Sequence, residues 1–73
     1  MRLRLVGTDS TGLIGYYELP MKPDDPRKPL KAIIRLGPRE YYLAEAWADY
    51  LDGAWVLELP IVRDYVELID IIH

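Results

Sequence analysis

Four prolines at positions 20, 23, 26 and 29, one at every third residue of LPMKPDDPRKPLK, set the first limit on how this chain can fold. Proline lacks a backbone N–H and fixes φ, so neither a helix nor an inner strand continues through such a stretch. The chain is therefore divided into a segment before residue 20 and a segment after residue 29. A proline at every third position matches the three-residue turn of polyproline II, which would place all four rings along one edge of an extended ribbon. The ribbon is expected to be a stiff strap between two parts of one small domain. A PxxP ligand for an aromatic groove on another protein is the competing reading.

With 73 residues the chain is one domain, residues 1–73, near the lower size limit for a core without staples. It has no cysteine, which removes disulfides and thiolate chemistry and fits a reducing compartment. No apolar run reaches the roughly 20 residues of a membrane span, and MRLRLVGTDS lacks the apolar region of a signal peptide. The expectation is a cytoplasmic protein, monomeric when free, that makes no membrane contact.

Before the prolines, MRLRLV alternates cationic and apolar residues, as a strand with one buried face does. GTDSTG is a turn, and LIGYYEL is the returning strand, so residues 1–19 form a β-hairpin. Gly15 inside the second strand marks a bulge or a close backbone contact. After the prolines, LKAIIRL (30–36) and AWVLEL (54–59) read as further strands.

Between these, GPREYYLAEAWADYLDG carries helix signals: Pro38 in a first turn, Glu40 near the positive end of the dipole and Gly53 at a C-cap. Leu43, Trp47, Tyr50 and Leu51 fall on one helical stripe, leaving Glu45, Asp49 and Asp52 on an acidic opposite face. In IVRDYVELIDIIH, Val62, Tyr65, Val66, Ile69 and Ile72 suggest a second helix, with strand-turn-strand as the alternative, and residues 60–73 form a C-terminal segment able to be flexible. The expected fold class is α+β: a small, mainly antiparallel sheet, built from the N-terminal hairpin plus short strands, with one or two helices.

Charge is unevenly distributed. Through residue 39 there are eight basic and four acidic residues; from residue 40 there are one and eight, for a net −3. Either the surface is bipolar or the two halves pack together and neutralise each other. Six Tyr and two Trp, with no Phe, favour rings that carry a polar handle and suit partly exposed surfaces.

Nothing in the sequence assembles a catalytic site. The single histidine, His73, is terminal, TDST has no nucleophile context, and Asp24 and Asp25 read as solvated charge. GTDSTG lacks the GK[ST] tail of a phosphate loop, and no EF-hand spacing occurs. A non-enzymatic binding protein without cofactor or metal is expected. Its cationic contacts would be Arg2, Arg4, Lys28, Lys31 and Arg35, and its anchors Tyr16, Tyr17 and Trp55, because interface hot spots favour Arg, Tyr and Trp. Two other readings compete, one on these cations and rings and one on Glu45, Asp49 and Asp52. Cations beside rings suit single-stranded nucleic acid, and the acidic helix could occupy a basic groove of a host defence enzyme by imitating nucleic acid.

In its length, its cysteine-free composition, its cationic first strand MRLRLV, its proline-rich connection and its acidic, aromatic second half, the chain resembles the small phage-encoded transcription regulators that bind RNA polymerase, of the kind carried by lytic Xanthomonas phage. The resemblance implies a host-takeover protein in the host cytoplasm. Such a protein binds bacterial RNA polymerase near the β′ N-terminus and the β flap, inhibits initiation and promotes antitermination. It also implies contact with RNA or DNA within that complex.

Overall fold

The computed structural model describes Met1–Ile72; His73, and with it the expectation about the terminal histidine, lies outside the described residues. Seven strands form one antiparallel sheet: β1 (Arg2–Thr8), β2 (Gly15–Glu18), β3 (Leu30–Gly37), β4 (Glu40–Ala46), β5 (Ala48–Leu51), β6 (Ala54–Leu59) and β7 (Tyr65–Ile72). Their spatial order is β4-β3-β7-β1-β2-β6-β5. The two edge strands, β4 and β5, are one stretch of chain interrupted only at Trp47, whose carbonyl accepts the Glu58 amide at 3.0 Å. A single long segment thus pairs first with β3 and then with β6, and the sheet curls into a nearly closed barrel. Near-closure leaves only short exposed edges, on β4 and β5, where a long open edge would template aggregation.

The expected α+β class is therefore corrected to all-β, with no helix among the described residues. Over 38–52 the helical stripe was misleading: Leu43, Trp47 and Tyr50 are exposed, whereas Ala44, Ala46 and Ala48 are buried. The true period is two, with small residues turned inward. Alanine favours helices intrinsically, but pairing with β3 and β6 overrides that preference. Both ends of the segment are hairpin turns. Pro38 and Arg39 sit in the first, closed by Gly37 opposite Glu40. Asp52 (φ 50°) and Gly53 (φ 83°) form the second, the Asp-Gly pair with two positive φ values that suits a type I′ turn. Gly53, expected as a helix cap, is a hairpin residue.

The second expected helix is strand β7, seated between β1 and β3. Its pattern slips by one residue because Leu68 lies opposite Ile34 while Asp70 lies opposite Ile33, so Ile69 is an extra, bulged residue. Val66, Leu68 and Ile71 turn inward while Ile69 and Asp70 both stay exposed. That slip is what made a strand resemble a helical repeat.

The strands expected at 30–36 and 54–59 are present, as is the N-terminal hairpin. Its Gly15 is a close-contact glycine: a Cβ there would lie 2.6 Å from the Ile61 carbonyl oxygen and 2.9 Å from the Tyr17 ring. Inward residues of every strand build one core. Tyr17, Ile34 and Leu59 have no solvent exposure, and Leu3, Leu57 and Val66 are nearly as buried.

The proline segment connects β2 to β3, two strands separated in the sheet by β1 and β7. It crosses one end of the barrel, and not as a straight ribbon. The Lys28 amide donates to the Asp25 carbonyl at 3.2 Å, closing a turn around Pro26 and Arg27, and the Asp25 side chain accepts the Arg27 amide at 3.0 Å. Aspartate competes for nearby backbone N–H groups in this way and bends the chain. Pro23 is buried while Pro20 is exposed, so the four rings do not share an edge.

Candidate functional site

The strand registers gather side chains from four strands onto the outer face of β4-β3-β7-β1. Arg2 lies opposite Glu67, Glu67 opposite Arg35, and Arg35 opposite Tyr41, forming one charged and aromatic row across the sheet. The next row places Leu43 beside Ile33 and Asp70, with the bulged Ile69 adjoining. A third places Glu45 beside Lys31 and Ile72. Leu43 and Tyr41 are 66% and 61% exposed, and Ile69, Ile72 and Tyr65 nearly half exposed. Solvent-facing isoleucine and leucine in adjoining rows, rimmed by charges of both signs, have the make-up of a protein-binding patch.

The edges of this face are defined by specific contacts. The Arg2 guanidinium sits 4.3 Å from the Tyr65 ring centroid, a cation–π arrangement that orders both side chains. Arg35 donates through Nε to the Gly37 carbonyl at 3.0 Å, which ties it to the β3-β4 turn. Arg63 donates to the Leu36 carbonyl at 2.8 Å. Beside the row, a recess of about 450 Å³ is lined by Arg35, Arg63, Tyr65 and Glu67 among others.

The expected contact residues divide among several places. Arg2, Lys31 and Arg35 share the outer face just described. Arg4 stands at its margin, where its guanidinium lies 3.6 Å from the Glu18 carboxylate in an exposed pair of small energetic weight. Lys28 belongs to the strap. Tyr16 points outward from the opposite side of the barrel, where burial and the carboxylates of Glu58, Asp9 and Asp49 raise its pKa above the ordinary phenol value. Trp55 is half-buried and packs edge-on against Tyr50, 5.3 Å between centroids. Tyr17, expected as an exposed anchor, has no solvent exposure. Its ring belongs to the core, and its hydroxyl bonds Ile61 and Arg63. In YY, only one of two neighbouring strand residues can face outward.

Tyr41, Leu43, Tyr65, Ile69 and Ile72 escaped the sequence reading because all five were assigned to helices. The charged halves interleave, since β4 pairs with β3 and β7 with both β1 and β3. The strands of the two halves are thus packed together, while both ion pairs among the described residues, Arg4–Glu18 and Arg27–Asp25, lie within the first half. The acidic residues expected on a helix face are on strands and a turn instead: Glu45 in β4, Asp49 in β5 and Asp52 in the hairpin.

No protein-family model, curated protein or solved structure matches the chain. Among the described residues no group of His, Cys, Asp and Glu side chains could hold a metal ion, and no helix is long and apolar enough to cross a membrane.

Proposed function

We propose that this chain is a non-enzymatic protein-interaction protein that docks the outer face of β4-β3-β7-β1 onto the host bacterial RNA polymerase, acting as a phage-encoded regulator of initiation and termination. The observation that supports docking is the composition of the face: the exposed Leu43, Ile69 and Ile72 beside the ordered row Arg2, Glu67, Arg35 and Tyr41. Leaving such apolar side chains in water gains nothing for the free barrel, whereas burying each against a partner contributes on the order of 1 kcal/mol or more. The polymerase as partner follows from the resemblance in length, composition and charge distribution.

Capture from bacterial lysate on the immobilised chain tests the reading. Polymerase subunits should dominate the eluate with the wild-type chain and disappear with Leu43→Glu/Ile69→Glu, whose positions are exposed and whose fold should persist. Absence of polymerase from the wild-type eluate would end the proposal.

One observation favours a second reading, direct binding of single-stranded nucleic acid. Arg2 over Tyr65 places a cation and a ring together, with Arg4, Arg35 and Tyr41 on the same side. Glu45, Glu67 and Asp70 interleave with them and oppose a phosphate backbone. Oligonucleotide binding that weakens steeply as salt rises would favour this second reading over docking on protein.

A further inference from the structure

At the end of the barrel crossed by the strap lies a second cavity, of about 480 Å³, within the roughly 300–1,000 Å³ of small-molecule clefts. Leu19, Leu30 and Ile71 form its apolar wall on the barrel side, and the buried Pro23 closes it from the strap. Lys22, Lys28 and Lys31 are among its lining residues, against Asp24 and Asp25, and Glu45 lies opposite Lys31 on β4. Asp25 is already held by Arg27, 3.2 Å from its Nε, and by the Arg27 amide. That engagement holds the Asp25 carboxyl below its ordinary pKa, the Arg27 amide contributing first and the guanidinium next. None of the three lysines has a carboxylate within ion-pair distance among the described residues.

An apolar wall with excess positive charge along its lining is complementary to one kind of molecule. We propose that the cleft between strap and barrel binds a small amphipathic anion, an unbranched apolar chain bearing a single carboxylate or phosphate head. The chain lies against Leu19, Leu30 and Ile71, and the head meets Lys22, Lys28 and Lys31. The cleft adjoins the docking face at Lys31 and Ile72, which line both, but its other walls come from the strap, Leu19, Leu30 and Ile71. The proline segment thereby acquires a role beyond connection, since it supplies both a wall and two of the three cations.

The test is a titration of the isotope-labelled chain with dodecanoate, below its micellar concentration, followed by amide chemical shifts. Dodecyltrimethylammonium, with the same chain and opposite head charge, serves as the comparison. Saturable one-to-one binding of dodecanoate is expected, with shifts confined to Leu19, the strap, Leu30 and Ile71, and no comparable binding of the cation. Lys22→Glu/Lys28→Glu, both exposed strap positions, should weaken binding at least about tenfold, as loss of a charged hydrogen bond does. Lys31→Gln provides an independent variant on β3 if the strap variant loses dispersion in its spectrum. Equal binding of both head groups, unchanged affinity in the variants, or shifts centred on Leu43 and Ile69 would overturn the proposal. Dodecyl phosphate then distinguishes the two head groups: the tighter of the pair identifies the source of the natural ligand.

Discussion

The Tyr17 hydroxyl donates to the Ile61 carbonyl across 2.6 Å and accepts the Arg63 amide at 3.0 Å, joining residues 44 and 46 positions apart in the chain. One buried side chain thus fixes the connection that leads from β6 into β7. Arg63 extends the link by donating to Leu36 beside the β3-β4 turn, so β7 is held at the entrance of the docking face. Tyr17→Phe removes a donor and an acceptor from two backbone groups and should cost about 1–3 kcal/mol. Urea unfolding followed by tryptophan fluorescence measures this directly; a loss below about 0.5 kcal/mol would mean that water replaces the hydroxyl.

Gly15 and Gly53 should both resist substitution, for different reasons. At Gly15 a methyl group would meet the Ile61 carbonyl oxygen at 2.6 Å, and backbone must move to admit it. At Gly53 nothing lies within 4 Å of the added carbon, and the cost comes from φ 83° alone. Gly53→Ala is expected to lose about 1–2 kcal/mol. Gly15→Ala should lose about as much or more through strain at the β2 contact. The two can be told apart by Gly53→Asn, which a left-handed conformation tolerates and which should recover much of the loss.

Neighbouring positions on the seam segment should behave oppositely. Ala44 is buried opposite Ala32, and enlarging it in Ala44→Leu is expected to cost about 1–3 kcal/mol through overpacking. Leu43 faces solvent, and Leu43→Glu should leave stability within about 0.5 kcal/mol while removing partner binding. A helix over these residues would reverse the stability ranking, so denaturation midpoints for the two variants decide the question.

What the sequence conveyed well was strand content in short apolar runs: MRLRLV by its alternation, LKAIIRL by its β-branched residues, and AWVLEL, in which Val56 and Leu57 are both buried, appear as strands. Its failures trace to two physical causes. In the seam, the inward residues are alanines, which carry little hydrophobic contrast, so the larger outward Leu43, Trp47 and Tyr50 dominated the periodicity. In β7 the bulge at Ile69 shifted the phase halfway along the strand. The Asp52-Gly53 turn was the available signal for a hairpin. For the docking face, Arg2, Lys31 and Arg35 were legible as outward cations, but their apolar neighbours depend on long-range register between β3, β4 and β7. Short-range patterning does not contain that information.

Acid should loosen the β1-β2 hairpin loop before the rest of the barrel. Asp9 accepts the Thr11 hydroxyl at 2.7 Å and the Ile14 amide at 3.3 Å. The Thr11 hydroxyl and then the loop amides hold its pKa below the ordinary 3.8, despite some opposing desolvation. A folded-state pKa lower than the unfolded one contributes stability above about pH 4, and that contribution disappears as pH falls through the folded value. Amide shifts of Gly12, Leu13 and Ile14 followed from pH 6 to pH 2 should report a midpoint below 3.8, and in Asp9→Asn the transition should vanish. A midpoint above 3.8 would show that desolvation outweighs the hydrogen bonds.

Hydroxyl-radical footprinting of the chain with and without RNA polymerase examines the docking face most directly. Tyr41, Leu43, Tyr65 and Ile69 should become protected in the complex, while Trp47 and Tyr50, comparably open in the free barrel but lying where the segment leaves β3 to pair with β6, stay reactive. Protection of Trp47 and Tyr50 with the β4-β3-β7-β1 face left reactive, or no protection at all, would contradict docking through that face.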